Sequence, residues 1–487
     1  MKRYLILFLM ILFVVSTMYA ADFKVNGVYT AWGQSQHNFW FENENKPVYN
    51  DNYFVQMLRF KVQGIANDNL KVVTRFDMAQ GWWGVDNALR SANRPYGKYG
   101  GSSLFDFKDT NFLFHVDQAY VDFKIPNTPL GFRVGRMWYG LGNKLILDNN
   151  YDGIQMDLNK WLGNKITLSF AKVSEGVDGL SDEEKVAPDG RGFTDARDAN
   201  LFTLNFNGGS ENFNYNVFGL YYNDASIADS NAYVPDHLQF FRARFTPQIT
   251  TLMAIGFAGK YKAGKFSVNG EFDYLTGKDD IPNKDFGPKK TVDINDGTIG
   301  GFNLYLKMNY AATDKLSFGL VGGMGSGDDD VTKGNGNVNK LRTSGFFYIT
   351  EIWEDSIMPD EEGITPQGLG APNVRGYREL ENTTIVQVNG TVKPLPNISL
   401  FASYSYIKAT QGIPKWDSNG NPDYSSTATD LGQEVDFKFT WKAQKQLAIG
   451  LRGGYFMPGS AAGYLINGTD KYTSAAWELK SFIGYKF

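Results

Sequence analysis

The residue types that most often perform catalysis are scarce in this chain. It contains three histidines, His37, His115 and His237, and no cysteine. None of the histidines stands at a metal-ligand spacing or in a hydrolase motif, and a lone histidine such as His115 near Asp117 is usually structural. The absence of cysteine excludes disulfides, thiolate zinc sites and cysteine nucleophiles. We therefore expect neither an enzyme nor a bound cofactor.

One acidic run could bind a cation. Asp328, Asp329 and Asp330 follow the tripeptide Gly325-Ser326-Gly327, and carboxylate oxygens are the ligands that calcium prefers. A run of this kind is more often a solvated loop tip. It is therefore only a weak candidate for a metal site.

Charged residues that alternate with apolar ones are stronger candidates for a functional role. Because successive side chains of a strand point to opposite faces, alternation places ten basic and eight acidic residues on the polar faces of their strands. Among them are Arg59, Lys61, Arg75, Arg452, Asp77, Glu434 and Asp436. The planar guanidinium of arginine can bind a carboxylate through two parallel hydrogen bonds. The competing interpretation is that such residues pair across strands and only keep the wall rigid and hydrated.

Composition narrows the class of protein. The 487 residues include 48 Lys+Arg against 52 Asp+Glu, for a formal net charge of -4, and the mean hydropathy is -0.34. This hydropathy excludes a protein that crosses a membrane with many helices. The balanced charge argues against nucleic acid as a partner, because no basic excess is available for phosphates. Aromatic and glycine enrichment favours one large β-barrel over several soluble domains.

The N-terminal segment is typical of an export signal. Lys2 and Arg3 precede an apolar run over residues 4–15, and small residues follow up to Ala20 and Ala21. The apolar run is shorter than the roughly 20 residues that a membrane-spanning helix needs. We therefore predict a signal peptide over residues 1–20, followed by a single barrel domain over residues 21–487.

Alternation of polar and apolar residues recurs along the body of the chain. Residues 434–441 (EVDFKFTW) and 302–310 (FNLYLKMNY) are examples. In a soluble sandwich the apolar face would meet a second sheet, whereas in an outer-membrane barrel it meets lipid and the polar face lines the interior. One strand alone does not separate these two cases.

The connections between strands favour the barrel. Short turns rich in Gly, Asn, Asp and Pro occur at residues 65–69, 126–129, 160–164, 208–211, 263–264, 312–314, 394–397 and 443–444. Longer polar stretches lie between them, at 82–110, 174–197, 225–248, 276–297, 326–379 and 409–429. Short periplasmic turns and long extracellular loops are the pattern of bacterial barrels. The fold class is therefore an all-β transmembrane antiparallel barrel of about 18 strands, in a range of about 16–18.

The last strand carries a further signal. Trp477, Leu479, Ile483, Tyr485 and the C-terminal Phe487 share one face. A terminal aromatic residue preceded by apolar residues at every second position resembles the signal read by the barrel-assembly machinery of the outer membrane. We therefore expect this machinery to be a partner through Phe487, and outer-membrane lipid and lipopolysaccharide to surround the wall.

Several short segments, spread over most of the chain, resemble the alginate-export family of outer-membrane porins. They are 117–123 (DQAYVDF), 132–136 (FRVGR), 139–140 (YG), 151–155 (YDGIQ), 325–328 (GSGD), 431–436 (LGQEVD) and 455–459 (YFMPG). The resemblance implies an eighteen-stranded barrel that acts as a passive conduit for anionic polysaccharide or smaller solutes, with an arginine-containing constriction.

By motif, the resemblance adds Arg133, Arg136 and Asp152 to the candidate residues of the lumen. Strict alternation places Arg133 and Arg136 on opposite faces, so either a bulge intervenes or one of them lies above the membrane. The predicted lumen is mixed in charge, which leaves the solute open. We also expect loops 82–110 and 326–379 to fold inward and narrow the pore.

The sequence therefore predicts an outer-membrane diffusion channel for hydrophilic solutes in a Gram-negative-type bacterium. The alternative is a non-conducting barrel that acts as a receptor, adhesin or sheath through its long loops. A third class, a secreted β-sandwich that binds carbohydrate, would need no membrane at all.

Overall fold

The computed structural model describes residues 22–43, 50–83, 113–161, 163–174, 198–224, 249–279, 297–329, 336–341, 347–358, 377–418 and 422–487. The predicted signal peptide over residues 1–20 lies outside these ranges, as does nearly all of the predicted inward loop 82–110. The domain boundaries therefore stay a prediction.

Antiparallel strands make up most of the described chain. The first nine are β1 (Asp22–His37), β2 (Asn50–Asn67), β3 (Leu70–Trp82), β4 (Leu113–Lys124), β5 (Leu130–Gly140), β6 (Asp148–Trp161), β7 (Asn164–Ser174), β8 (Ala199–Gly209) and β9 (Phe213–Asp224). The next five are β10 (Thr251–Ala263), β11 (Phe266–Lys278), β12 (Ile299–Ala311), β13 (Leu316–Gly325) and β14 (Gly336–Asn337). The last five are β15 (Thr383–Leu395), β16 (Ile398–Trp416), β17 (Pro422–Lys442), β18 (Leu447–Pro458) and β19 (Ala476–Lys486).

The sheet closes on itself. Strand β1 pairs with β2 on one side and with β19 on the other, and β13 pairs directly with β15. The two-residue strand β14 lies parallel to the end of β12 and is not part of the wall. The result is a closed antiparallel barrel of 18 strands, as the sequence predicted. Closure leaves no strand edge with unpaired backbone groups.

Connections of two lengths alternate around the barrel. Every short turn predicted from the sequence lies at one end, and the long connections lie at the other. The prediction of a long connection at 409–429 is wrong, because β16 runs to Trp416 and β17 begins at Pro422. This hairpin therefore extends well beyond its neighbours on the long-loop side.

The two faces of the wall differ in polarity. On β19, Trp477, Leu479 and Ile483 point outward and are exposed, whereas Glu478 and Lys480 point inward and are buried. Several aromatic side chains near strand ends are also exposed: Trp83, Tyr310, Tyr404, Trp441 and Trp477. Tyr120 and Trp138 line a cavity inside the barrel instead.

Helical structure within the described residues is short. A π-helical turn covers Trp353–Ile357, and helix α1 covers Ser460–Asn467. Both pack into an apolar cluster with Phe39, Phe41 and Phe456. No described helix combines the length and the apolar character needed to cross a membrane.

Gly27 on β1 allows Phe487, which directly follows β19, to pair with it and pack closely against it. The backbone N–H of Gly27 donates to the Phe487 carbonyl at 2.9 Å, and the Phe487 N–H donates to the Gly27 carbonyl at 3.0 Å. The Phe487 ring lies over Gly27, so that a Cβ on this glycine would lie 2.1 Å from the ring.

We expect Gly27→Val to displace the Phe487 ring and to lower the free energy of unfolding by about 1–3 kcal/mol, the usual cost of overpacking. The measurement is the temperature at which the barrel loses its compact mobility in detergent gel electrophoresis. Gly390→Val is the matched control, since a Cβ at Gly390 would make only ordinary contacts at 3.9 Å and beyond. Equal transition temperatures for the two variants would contradict this role of Gly27.

Candidate functional site

Two arginines lie in ion pairs on the inner face of β2–β4. The Arg59 guanidinium donates to both Asp77 oxygens at 2.5 Å and lies 3.8 Å from Asp117. Arg75 is ion-paired with Asp117. A shift in the β3–β4 register after Arg75 brings Asp117 into reach of both arginines. The inward placement of Arg59, Arg75 and Asp77 agrees with the alternation of the sequence.

Arg59, Arg75 and Asp117 line a cavity inside the barrel, which we call the upper cavity. Its volume is about 720 Å³. Five basic side chains line it against two carboxylates; the basic ones are Arg59, Lys61, Arg75, Arg133 and Lys144, and the acidic ones are Asp117 and Asp148. Among the described residues, Lys61 has no ion-pair partner. Arg59 and Arg133 also pair with Asp77 and Asp157, which lie outside this lining. With these partners counted, five basic side chains face four acidic ones. The upper cavity therefore carries a small excess of positive charge, and Lys61 could meet a solute directly.

The connection between β5 and β6 crosses the lumen. Gly142 donates its backbone N–H to the side chain of Asn216 on β9 at 3.1 Å. Asn143 donates its backbone N–H to Glu271 on β11, and its side-chain oxygen accepts from Asn269 at 2.9 Å. Gly142 has φ +53, and a Cβ there would lie 2.4 Å from the Glu271 carboxylate. Only glycine fits such a turn.

Residues 141–147 thereby form an inward turn, and its apolar side chains are buried. Leu141, Leu145, Ile146 and Leu147 pack with inward residues of β8–β12. The Leu341 N–H from the long β13–β15 connection donates to the Ile146 carbonyl at 3.2 Å. Two inward-folded segments therefore meet inside the barrel and narrow it.

A second cavity lies toward the short-turn end, and we call it the lower cavity. Its volume is about 400 Å³, and Arg133 and Trp138 line it as well as the upper cavity. Its other charged lining residues are Lys165 and Lys260, and no acidic side chain lines it within the described residues. Five asparagines contribute amide groups: Asn143, Asn205, Asn207, Asn214 and Asn216. Such a lining can donate hydrogen bonds to carboxylates and hydroxyls alike.

Glu434 and Arg452, which were also predicted to point inward, bind a segment of the chain that folds into the lumen. Glu434 accepts the backbone N–H groups of Ile352 and Trp353 at 2.6 and 2.9 Å. Arg452 donates to Tyr348 at 3.0 Å and lies 3.1 Å from Glu351. Residues 347–358, the described part of this inward fold, therefore lie against β17–β19. The prediction that loop 326–379 folds inward agrees with this placement.

A buried cation completes the attachment of segment 347–358. The Lys480 ammonium lies 2.7 Å from Asp355 and 2.6 Å from Glu478, and it is 1% exposed. Glu478 also accepts hydrogen bonds from Gln34 and Gln36 of β1. Charges buried in this way must be paired, because removing one partner leaves the other unsolvated.

The structure therefore divides the nine predicted lumen residues into three groups. Arg59, Arg75, Arg133 and Asp77 lie on the inner face near the cavities. Glu434, Asp436 and Arg452 point inward but pack against segment 347–358 or its surroundings and line neither cavity. Arg136 and Asp152 pair with each other at 3.1 Å, on the outer face with Val134 and Ile154. The lumenal placement of this last pair is wrong, because β5 alternates without a bulge between Arg133 and Arg136.

The inward turn 141–147 was not expected from the sequence. Its signal is the apolar run Leu145-Ile146-Leu147 in a connection between two strands, where polar residues are usual. Lys144 was likewise absent from the predicted site, whereas alternation had already placed Lys61 on an inner face. Alternation predicts which face a residue occupies, but it does not predict which loops cover that face.

The described residues contain one group with the spacing of a metal site, Asp77, His115 and Asp117. Arg59 and Arg75 already bind its two carboxylates, and positive charge next to the group opposes a cation. Asp328 and Asp329, from the acidic run that was a weak candidate for a metal site, belong to no such group among the described residues. Asp330 lies outside the described residues.

Comparison with known proteins shows which families and structures this chain resembles. The family model described as "Alginate export" matches residues 372–477. This stretch is about a fifth of the chain, and over it the sequence resembles the alginate-export family. No curated protein sequence gives a significant match. The resemblance stated from short motifs has support at 431–436 and 455–459, which lie within the matched residues.

Solved structures of porins from Pseudomonas aeruginosa share the fold. The outer membrane protein OprD matches with 9% identity and a TM-score of 0.50, over 96% of this chain and 94% of OprD. OccK2 (OpdF), in complex with glucuronate, matches with 8% identity and a TM-score of 0.50, over 96% and 98%. OccK5 (OpdH) matches with 11% identity and a TM-score of 0.50, over the same shares. At identities of 8–11%, these likenesses show the barrel fold alone.

We expect Lys480→Met to weaken the attachment of segment 347–358 by about 3–5 kcal/mol, because Asp355 and Glu478 would lose their closest cation while still buried. The measurement is hydrogen exchange of the backbone amides of this segment in the folded barrel. Lys442→Met, at the exposed short-turn end of β17, is the control. Unchanged protection in the Lys480 variant would contradict the attachment.

The same segment should respond to pH through Glu354. Burial raises the pKa of Glu354 to about 8, although the carboxylate accepts the N–H groups of Ile349 and Leu380. A detached Glu354 ionises near pH ~4.3. Between pH ~4.3 and pH ~8, Glu354 of a detached segment binds fewer protons than Glu354 of an attached one. Attachment therefore weakens as pH rises through this range and is strongest below pH ~4.3.

We therefore expect amide protection of residues 347–358, corrected for the intrinsic effect of pH on exchange, to fall between pH ~5 and pH ~8. Glu354→Gln removes this titrating group and should reduce the fall in corrected protection, while Glu351 of the same segment, whose pKa burial also raises, keeps part of it. Identical pH profiles for the variant and the natural chain would contradict the role of Glu354.

Proposed function

We propose that this barrel is a passive channel for anionic, hydroxyl-rich solutes such as sugar acids. The observation that supports this proposal most directly is the excess of basic over acidic side chains in the upper cavity. A solute would enter from the long-loop side, pass Arg59, Lys61 and Arg75, and continue past Arg133 into the lower cavity.

Arg133 has the central position on this path. It lines both cavities and lies 3.2 Å from Asp157, which also pairs with Lys165 at 2.9 Å. Because one carboxylate is shared by two cations, the local charge stays positive. A carboxylate in transit could therefore bind transiently to Arg133 without leaving Asp157 unpaired.

The lower cavity supports the second half of the proposal. Its asparagine amides carry no net charge, so they do not retain an ion. They suit hydroxyl groups, because both kinds of group donate and accept hydrogen bonds. The porin OccK2, which shares this fold, has been solved with glucuronate, a sugar that carries a carboxylate. Conduction also requires binding that is weak enough for release.

We expect Lys61→Gln and Arg133→Gln each to reduce the preference for anions. Fixed positive charge attracts anions into a narrow pore, so its removal shifts the reversal potential toward that of a non-selective pore. The measurement is the reversal potential of single channels in a planar bilayer under a salt gradient. Lys408→Gln is the control, because Lys408 lies on the outer face of β16 next to exposed Tyr406.

Uptake into liposomes distinguishes selection of solutes by charge from selection by size. Glucuronate and glucose are similar in size, and only the first is anionic. Faster swelling with glucuronate that disappears in Arg133→Gln would support the proposal, whereas equal rates in the natural chain would contradict it.

The inward segments favour one competing function. Residues 141–147 and 347–358 fill much of the lumen, as they would in a barrel that acts as a receptor, adhesin or sheath. A purified barrel that inserts into bilayers without any single-channel conductance would support this alternative and overturn the proposed channel.

A further inference from the structure

The inner face of β11 carries two buried carboxyl groups, those of Glu271 and Asp273, which we call the carboxyl pair. Glu271 is 3% exposed and Asp273 is 0% exposed. Among the described residues, no lysine, arginine or histidine forms an ion pair with either group. The carboxyl pair differs in this respect from Asp77 and Glu478, each of which has a cation beside it.

The two carboxyl groups lie within hydrogen-bonding distance of each other. An ionised carboxylate only accepts hydrogen bonds, so a hydrogen bond between two carboxyl groups needs a proton on one of them. Glu271 Oε1 and Asp273 Oδ1 are buried and have no other partner. One shared proton would satisfy both oxygens, whereas two charges this close together would repel each other.

The strands on either side supply no charge that neutralises the pair. On β12, Tyr305 lies opposite Glu271 and Asn303 lies opposite Asp273, to which the Asn303 amide donates at 3.5 Å. A tyrosine stays neutral below pH ~10. The nearest strand lysines, Lys260 of β10 and Lys307 of β12, lie opposite the next inward residue of β11, Asn269, and form no ion pair with the carboxyl pair.

The described inward segments bring two further lysines near β11, and both have other partners. Lys144 of the turn 141–147 lies 2.8 Å from Asp148. Lys340, next to Leu341, lies 3.0 Å from Glu379. Neither lysine is therefore the counter-ion of the carboxyl pair.

The surroundings of the carboxyl pair also leave little room for a metal ion. A Cβ on Gly256 of β10 would lie 2.3 Å from Asp273 Oδ1, and one on Gly142 would lie 2.4 Å from Glu271 Oε2. Calcium takes about six to eight oxygen ligands. Along this part of β11 the unpartnered oxygens are those of Glu271, Asp273 and Asn269. A proton fits this site better than a cation that needs water or more ligands.

Glu271 connects the carboxyl pair to the inward turn 141–147. Its Oε2 accepts the backbone N–H of Asn143, and Gly142 lies directly against the carboxyl group. The turn therefore covers Glu271 and keeps water away from it. If both groups of the pair were ionised, they would need water, and water would reach Glu271 only after the turn had moved.

We propose that Glu271 and Asp273 share one proton, and that loss of this proton weakens the attachment of turn 141–147 and widens the lumen. In the attached state the pair binds one proton, whereas carboxyl groups exposed to water by a detached turn ionise near pH ~4. The detached state therefore binds fewer protons above that pH. Attachment weakens as pH rises, by at most about tenfold per pH unit for one proton.

Hydrogen exchange of the backbone amides of residues 141–147 in the folded barrel tests this proposal directly. We expect their protection, corrected for the intrinsic effect of pH on exchange, to fall as pH rises from ~5 to ~9. Calcium chloride should not restore protection at the upper end of this range.

Two variants replace the shared proton by a permanent donor. In Asp273→Asn the new amide can donate to Glu271 at every pH, and in Glu271→Gln the new amide can donate to Asp273 while its oxygen still accepts from Asn143. We expect corrected protection of residues 141–147 to be independent of pH in both. Asp314→Asn, at an exposed short turn, and Glu354→Gln, in segment 347–358, are the controls and should keep the pH profile of the natural chain.

The effect on the pore rests on the proposed channel function. Single-channel conductance should rise with pH in the natural chain and stay at its low-pH value in Asp273→Asn. A barrel that does not conduct would contradict the proposed channel, but the exchange measurements would still test the carboxyl pair.

Three results would overturn the shared proton. They are protection of residues 141–147 that does not change with pH in the natural chain, the same pH profile in Asp273→Asn and Glu271→Gln as in the natural chain, and recovery of protection at high pH on addition of calcium. The last result would show that a cation, not a proton, neutralises the pair.

Discussion

Backbone pairing between the first and last strands is the interaction on which the rest of this structure depends. The pairing of β1 with β19 converts a long sheet into a closed wall, so that each peptide group of the wall is hydrogen-bonded where water is absent. It also divides every strand into an outward and an inward face. The low mean hydropathy of the chain follows from this division, because only one residue in two needs to be apolar.

Closure alone would leave a wide, polar lumen, and the inward segments decide how much of it stays open. Segment 347–358 covers the inner face of β17–β19 through Glu434, Arg452 and Lys480. The turn 141–147 covers β8–β12 and is attached at Asn216 and Glu271. Two spaces remain, the upper cavity beside β2–β6 and the lower cavity beside β5–β10. Most cations of the upper cavity are paired with carboxylates, and Lys61 leaves it with a small excess of positive charge.

The upper part of the β5–β6 hairpin shows how one strand face can meet two environments. Arg136 and Asp152 lie on the outer wall while β5 is still paired with β4. Beyond that pairing, Trp138 and Asn150 have the same orientation along their strands but reach the upper cavity, where Asn150 contacts Asp117 and Gln118. The hairpin bends inward at this level. A single rule of alternation fails wherever a strand leaves the sheet.

The all-β barrel, the approximate number of strands, the end at which the short turns lie and the inward orientation of Arg59, Arg75, Asp77 and Glu434 could all be predicted from the sequence. Period-two alternation and turn composition are local properties, so they can be read without knowing what lies across the barrel. The folded barrel was needed to show that Glu434 and Arg452 hold a segment of chain, that residues 141–147 cross the lumen and that Arg136 lies on the outer face. These facts depend on contacts between residues far apart in sequence, such as the 128 positions that separate Asn143 from Glu271, and no local pattern encodes such a distance.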